Sequence, residues 1–223
     1  ITCDNTAMQK KSRLNGWLTT PAPSASGLHR KWLTRPGALT EGLRQLGTLN
    51  LRVLSEKVCR ASLGEAERLG LPTGHALWQR EVCMAISGVD CVVARSVTPL
   101  EAAHGHWQAV RRLRNRPLAD ILYLDRAIVR SGFEFSTLRL GMPLYSLTAL
   151  RSGTSLYPLT SLRLDSKPYP LNQASPASHM RVYSRRSVFM RATQPLLVAE
   201  AFLPAFWNIA KQQHAQTRAG LSK

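Results

Sequence analysis

The fold of this chain is limited above all by two apolar runs that a very short link connects. Residues 76–87 and 91–98 are rich in hydrophobic and β-branched side chains, and only residues 88–90 separate them. A link of this length joins antiparallel neighbours, because parallel strands need a crossover of a dozen or more residues. Pro99 then ends the second run, since proline cannot donate a backbone hydrogen bond to a neighbouring strand. The two runs therefore predict a β-hairpin.

Further apolar runs and periodic segments lie on both sides of this hairpin. Strand-like runs are found at residues 49–58, 126–138, 181–191 and 196–203. Helical spacing is found at residues 31–46, at residues 101–113 and again after Pro117. Because several connections are of hairpin length, antiparallel pairing is favoured over a sheet built from βαβ units. The pattern predicts an α+β fold with a single antiparallel β-sheet of about six strands and helices on one face.

Three segments differ in composition from the predicted domain at residues 31–207. Residues 1–30 are polar and basic and end in a cluster of proline, serine and glycine, which predicts a flexible N-terminal extension. Residues 139–180 are rich in serine, threonine, proline, leucine and tyrosine without a strand or helix period, which predicts a poorly ordered insertion. Residues 208–223 read as a polar C-terminal tail.

The charge of the chain indicates an anionic partner. Thirty Lys and Arg residues against 13 Asp and Glu residues give a formal net charge of +17. Such a surface attracts nucleic acid, anionic lipid or small polycarboxylates. The basic residues are scattered rather than clustered with aromatic residues, so nucleic-acid binding is the weaker alternative. No run of 18 apolar residues is present, so we expect no membrane span, and the spacing of the cysteines favours reduced thiols in a cytoplasmic protein.

The cysteines and histidines do not form a metal-binding pattern. The chain has four cysteines, at positions 3, 59, 83 and 91. None of them has C-x-x-C spacing, which favours reduced thiols, although a disulfide between Cys83 and Cys91 across the hairpin stays open. His104 and His106 would point to different faces of a helix, so no metal site is predicted.

Isolated charges within the apolar runs are the candidate functional residues. Arg80, Arg95 and Glu200 each stand among hydrophobic neighbours. An exposed position explains each of them, and so does an inward position, which for an arginine requires an anion to offset its desolvation. A buried guanidinium fork suits a carboxylate, and a buried glutamate can act as a general acid or bind a hydroxyl group. The pair Arg185-Arg186 is interpreted as a solvated basic pair.

Several separated segments, in the same order along the chain, resemble the chorismate–pyruvate lyase family. They are Trp32-Leu33, Leu39-Thr40, Arg80-Glu81, residues 94–99, Pro117-Leu118, residues 185–187 and residues 195–204. The resemblance covers about residues 31–138 and 181–204 and implies one antiparallel sheet with a buried ligand pocket.

The resemblance also implies roles for particular residues. Arg80 would hold the ligand carboxylate, assisted by backbone groups at Leu39 and Leu118. Glu200 would meet the ring oxygen, and Arg95 would reach the enolpyruvyl carboxylate. Arg80 and Glu200 are the expected catalytic residues.

The implied activity is that of a lyase which removes pyruvate from chorismate to give 4-hydroxybenzoate, the first committed step of ubiquinone biosynthesis. Aromatisation supplies the driving force, so no metal or redox cofactor is expected, and we expect a monomer. The alternative is a non-catalytic effector-binding domain of the same fold, as in transcription regulators. Such a domain should follow a helix-turn-helix, for which residues 1–30 are too short.

Overall fold

The computed structural model describes residues 16–139, 141–151 and 181–220. The helices within these residues are α1 (Gly27–Leu33), α2 (Leu39–Arg44), α3 (Leu63–Leu69), α4 (Leu100–His104), a 3-10 helix (Gln108–Arg112), α5 (Ala119–Leu122), α6 (Pro143–Arg151) and α7 (Pro204–Gly220). The strands are β1 (Leu49–Arg60), β2 (Ala76–Ile86), β3 (Val89–Pro99), β4 (Ile128–Arg130), β5 (Glu134–Thr137), β6 (Tyr183–Arg191) and β7 (Gln194–Phe202).

All these strands belong to one antiparallel sheet. Its order is β1-β2-β3-β7-β6, and β4 and β5 both pair with the outer edge of β6. The α+β architecture with a single antiparallel sheet is therefore confirmed. The predicted hairpin is also present, with a turn at Ser87 and Gly88, whose φ angles are 48° and 86°. A two-residue turn with both angles positive matches the twist of the strands that it connects.

The run at 126–138 forms two strands rather than one, so the sheet has seven strands in the described residues where about six were predicted. Ser131 separates them. Its backbone N–H donates to Val188 O (2.8 Å), and its hydroxyl oxygen accepts the Val188 N–H (3.0 Å). The Ser131 hydroxyl thus accepts a hydrogen bond that a backbone carbonyl would accept in a regular ladder, and the strand pairing is interrupted there.

Helices cover both faces of the sheet, unlike the expectation of helices on one face. The front face, which carries Val92 and Ala94 of β3, packs against α1, α2 and α7. The back face, which carries Val93 and Val97, packs against α6 and α3 respectively. Alternate residues of a strand point to opposite faces, so β3 serves two apolar layers.

Three helices, α3, α6 and α7, lie where the sequence analysis predicted none. The start of α3 is a capping box, in which the backbone N–H of Ser62 donates to the Glu65 carboxylate (3.0 Å). The S-x-x-E spacing of this box is a recognisable start signal, although the segment is short and polar. Helix α6 lies in the predicted insertion; residues 140 and 152–180 of that insertion are outside the described residues.

The predicted flexible N-terminal extension is structured over the part that the structure describes. Trp17 is buried, and Leu18 and Phe135 exchange two backbone hydrogen bonds of 2.8 and 2.7 Å. Helix α7 continues to Gly220 and buries Ala210. The prediction of a flexible extension is therefore wrong for residues 16–30, while residues 1–15 are outside the described residues. Residues 208–220 form the end of α7, and the polar C-terminal tail stays a prediction.

The two cysteines of the hairpin lie in different parts of the core. Cys83 and Cys91 are both free and buried, and they belong to core clusters on the back and the front face respectively. They therefore do not form the disulfide that was left open.

Among the residues that the structure describes, no helix is both long and apolar enough to cross a membrane.

Candidate active site

A cavity of about 60 Å³ lies on the front face of the sheet. Two small residues of β3, Ala94 and Ser96, line it, and Leu39 of α2 and Leu118 beside α5 line it from the helical layer. The small side chains leave space above the sheet where larger residues would close it. The strands and helices together therefore form a small compartment between the sheet and its front layer.

Arg80 and Glu200 line this cavity from either side of β3. In the strand register, Arg80 of β2 lies opposite Ser96, and Glu200 of β7 lies opposite Ala94. Their strands are two spacings apart, which separates the backbones by roughly 10 Å. The structure thus brings together four of the five predicted site residues: Arg80, Glu200, Leu39 and Leu118.

Arg80 is held by its own protein at several points. Its side chain is 2% exposed. It forms an ion pair with Glu56 of β1, and its Nη2 donates to the carbonyl oxygens of Arg114 (2.6 Å) and Arg116 (3.2 Å). These contacts use three of the five N–H donors of a guanidinium. The side chain is therefore fixed in place and retains donors for a ligand.

Glu200 is oriented by Arg185, its cross-strand neighbour in β6. The Arg185 Nε donates to the Glu200 carboxylate at 2.6 Å. The Arg185 Nη1 donates to the carbonyl oxygens of Trp32, Leu33 and Arg35, at 3.3, 3.2 and 2.9 Å. Arg185 thus connects the candidate site to the end of α1 and to the loop that leads into α2.

The interpretation of Arg185-Arg186 as a solvated pair is wrong. Both residues are buried, with exposures of 1% and 6%. Arg185 lines the front cavity and Arg186 lines a cavity on the back face. An arginine pair in a strand must place one side chain on each face, and this alternation was the available signal.

A third arginine, Arg130 of β4, also lines the front cavity and was not predicted. Its Nε donates to the Ser187 hydroxyl and its Nη1 to the Tyr123 hydroxyl, both at 3.1 Å. Tyr123 in turn donates to Gly37 O at 2.8 Å. The guanidinium carbon lies 3.6 Å from the centre of the Phe133 ring. Burial lowers the pKa of Arg130 and raises the pKa of Tyr123.

Arg95 is on the back face, away from the other predicted site residues. Its Nε donates to Glu65 (2.7 Å), and its Nη1 donates to Gln79 (2.5 Å) and Glu81 (2.7 Å). Burial alone would lower the pKa of Arg95, but the adjacent Glu65 charge and the hydrogen bonds to Glu65 and Glu81 raise it. The expectation that Arg95 shares a cavity with Arg80 is therefore wrong.

A β-bulge explains this placement. The pairing next to the turn, if carried straight along the hairpin, would set Arg95 opposite Arg80 on one face. The register shifts by one residue at 84–85, so that Arg95 lies opposite Glu81 and Arg80 lies opposite Ser96. A shift of one residue exchanges the faces on which side chains meet.

The back face has a cavity of its own, of about 220 Å³, which both Arg95 and Arg186 line. Arg186 Nε donates to Glu134 at 2.7 Å, and Arg68 lies 3.1 Å from the same glutamate. Burial lowers the pKa of Arg186 in spite of this partner. In the described part of the back face, three arginines thus contact three glutamates, namely Glu65, Glu81 and Glu134.

The front cavity defines a class of protein: an α+β domain with a small cavity lined by buried arginines and a carboxylate. Comparison with known proteins agrees with this class. The family model described as chorismate lyase matches residues 15–162. The chain is similar to a probable chorismate pyruvate-lyase of Bordetella avium, with 45% identity over 86% of this chain and 85% of the relative.

Two more distant similarities extend the comparison. A probable chorismate pyruvate-lyase of Pseudomonas fluorescens is 32% identical over 90% of this chain and 94% of its own length. The solved effector domain of PhnF from Mycobacterium smegmatis is 13% identical, covers 83% of this chain and 93% of that one, and has a TM-score of 0.46. The family match and the curated relatives show that this chain belongs to the chorismate lyase family and is a lyase.

Proposed function

We propose that the front cavity binds chorismate and releases pyruvate and 4-hydroxybenzoate. The observation that carries this proposal is the placement of Arg80 and Glu200 on one face of the sheet, on either side of a cavity lined by Ala94 and Ser96. A guanidinium and a carboxylate at opposite sides of a small cavity suit a ring with a carboxylate at one end and a hydroxyl at the other.

The roles of the residues follow from their chemistry. Arg80 donates to the ring carboxylate through the N–H groups that its protein partners leave open. Leu39 and Leu118 lie at the starts of α2 and α5, where backbone N–H groups lack intrahelical acceptors, and these groups assist Arg80. Glu200, which is ion-paired with Arg185, accepts a hydrogen bond from the ring hydroxyl.

The reaction balances without any added reagent. The ether bond between the ring and the enolpyruvyl group breaks, and the proton at the carbon that bears the hydroxyl leaves the ring. The enolpyruvate keeps the electrons of the broken bond and takes up one proton on its methylene carbon, which gives pyruvate. The electrons of the broken C–H bond complete the aromatic ring of 4-hydroxybenzoate. The protein has to orient the ring, stabilise developing charge on the departing oxygen and exclude water.

The product assignment suggests a biological role. A lyase that makes 4-hydroxybenzoate would supply the aromatic ring of ubiquinone, and we propose that this is the pathway it serves. This assignment rests on the reaction proposed for the front cavity.

Purified protein incubated with chorismate tests the proposal directly. We expect equal amounts of pyruvate, measured by a coupled dehydrogenase, and 4-hydroxybenzoate, measured by chromatography. Glu200→Gln and Arg80→Leu should each lower kcat/KM by about 10²–10³-fold, since truncating one partner of a buried charged contact costs about 2–5 kcal/mol. Glu101→Gln is the matched control, because the Glu101 side chain is 63% exposed and pairs only with His75 in the described structure.

Circular dichroism of each variant separates loss of activity from loss of fold. A folded Glu200→Gln variant with wild-type rates would show that Glu200 has no role in the reaction. A folded wild-type protein that binds chorismate or 4-hydroxybenzoate without releasing pyruvate would favour the effector-binding alternative instead.

A further inference from the structure

We propose that Arg130 binds the second carboxylate of the substrate, the one on the enolpyruvyl group, while Arg80 binds the ring carboxylate. The inference rests on the proposed function and assigns the second anionic group of the substrate to a residue that the sequence did not single out. Its basis is the arrangement of charges and hydrogen bonds in the front cavity.

The charges of the front cavity do not balance within the described residues. Three arginines line the cavity: Arg80, Arg130 and Arg185. Arg80 pairs with Glu56 and Arg185 pairs with Glu200. No carboxylate of the described residues forms an ion pair with Arg130. A partly buried guanidinium without a carboxylate partner is stabilised when an anion enters the cavity, because the anion offsets its desolvation.

The orientation of Arg130 favours a ligand over a structural role. Ser187 and Tyr123 take one N–H each from Nε and Nη1, so three of its five donors make no hydrogen bond with the described residues. The guanidinium stacks on Phe133 at 3.6 Å and lies 5.5 Å from the Phe189 ring. These contacts fix the plane of the side chain, and a fixed planar fork is suited to a carboxylate.

The strand register places Arg80 and Arg130 at opposite ends of the cavity. Arg80 lies opposite Ser96, Ser96 lies opposite Val198, and Val198 lies opposite Ser187, which holds Arg130. This row crosses three strand spacings, or roughly 14 Å. A ligand that lies along the row over β3 and β7 would have an arginine at each end. Chorismate has two carboxylates and fits this arrangement, whereas 4-hydroxybenzoate has one.

Arg130 should affect the binding of the substrate and the binding of the product differently. Arg130 should contribute to recognition of chorismate and to stabilising the departing enolpyruvate, whose carboxylate it contacts throughout. It should contribute little to 4-hydroxybenzoate, which lacks that group. A residue that only supported the fold of the site would affect both ligands.

The experiment compares Arg130→Gln with Arg126→Gln, which makes the same change of charge at an exposed arginine just before β4. We expect Arg130→Gln to lower kcat/KM for chorismate by about 10–100-fold, the range for a lost charged hydrogen bond. The Kd for 4-hydroxybenzoate, measured by isothermal calorimetry, should stay within about threefold of wild type. Arg126→Gln should leave both values unchanged. Arg130→Lys, which keeps the charge and loses the fork, should fall between wild type and Arg130→Gln.

Three outcomes would overturn the inference: an unchanged kcat/KM in Arg130→Gln, an equal loss of 4-hydroxybenzoate binding, or the same loss in Arg126→Gln. If Arg130→Gln does not fold, the same criteria apply to Arg130→Lys. An inactive wild type would refute the proposed function. Chorismate Kd values for wild type and Arg130→Gln would then decide the role of Arg130 separately, because an unchanged Kd refutes it and a raised Kd supports it.

Discussion

The two faces of the sheet both bury arginines, but they do so in different ways. On the back face, three arginines of the described residues contact three glutamates, and Arg95 alone contacts two of these glutamates. On the front face, the three arginines that line the cavity contact two glutamates in the described residues, Glu56 and Glu200. Among the described residues, the buried charges of the back face therefore balance, whereas the front face has cationic donors left for an anion from outside.

This difference shows that burial of an arginine does not by itself indicate a binding site. A guanidinium that is neutralised by its own chain is part of the structure, and its loss should affect stability. A guanidinium that has unused donors toward a cavity is a candidate for ligand binding, and its loss should affect affinity. Each face can be tested separately because alternate residues of the same strands serve the two faces.

The largest effect is expected on the back face, from Arg95→Met. The change leaves Glu65 and Glu81 buried without their cation, and removing one partner of a buried ion pair costs about 3–5 kcal/mol. Urea denaturation should show this loss in the free energy of unfolding. The kcat/KM of the protein that remains folded should stay near wild type, and a selective loss of activity at unchanged stability would break the distinction between the two faces.

The next largest effect is expected when two alanines on opposite faces of the sheet are each replaced by leucine. Ala94→Leu fills the front cavity and should lower kcat/KM for chorismate by about 100-fold or more, with matching loss of 4-hydroxybenzoate binding. Ala199→Leu adds the same atoms to the larger back cavity, which Ala199 lines, and should leave kcat/KM within about twofold. Unfolding curves check that overpacking, which costs about 1–3 kcal/mol, has not unfolded either variant. Equal loss of activity in both would contradict the assignment.

A smaller effect is expected from Tyr123→Phe at the front cavity. The change removes the hydrogen bond to Gly37 O and the acceptor for Arg130. A hydrogen bond contributes about 1 kcal/mol, so KM for chorismate should rise about fivefold with kcat changed less. Steady-state kinetics measure both values. A fall in kcat alone would indicate that Tyr123 acts on the chemical step rather than on the position of Arg130.

The smallest effect concerns pH and His29 of α1, which contacts the rings of Tyr183 and Trp207 in the front layer. Burial lowers the pKa of His29 below its usual 6.5, and Lys211 adds to this effect. The unfolded chain therefore binds more protons as pH falls through 6.5, so the folded state loses stability there and regains it as pH rises.

His29→Gln removes this titration and can keep the capping hydrogen bond that His29 makes to the Ser26 N–H. Denaturation at pH 5.0 and 7.5 should show a smaller pH dependence in the variant than in the wild type. The other histidines contribute equally to both proteins, so an identical pH dependence would mean that His29 is not the group responsible.

The helices of the front layer could be predicted only in part from the sequence. The segment at 31–46 was predicted to be one helix, but Pro36 and Gly37 lie between α1 and α2. Residues 101–113 likewise form α4 and a 3-10 helix rather than one helix. In both cases the apolar spacing identified the inward side chains, while local breaks in the backbone decided where each helix ends.

The sequence by itself determined the hairpin, the antiparallel α+β fold and the isolated charges Arg80 and Glu200, because strand period and turn length are local properties. The tertiary structure alone decided which charges share a cavity. The bulge at 84–85 set Arg95 on the back face, and the pairing of β4 with β6 brought Arg130 to the front. Register between distant strands depends on the packing of whole layers, and a shift of one residue reverses the face of every side chain.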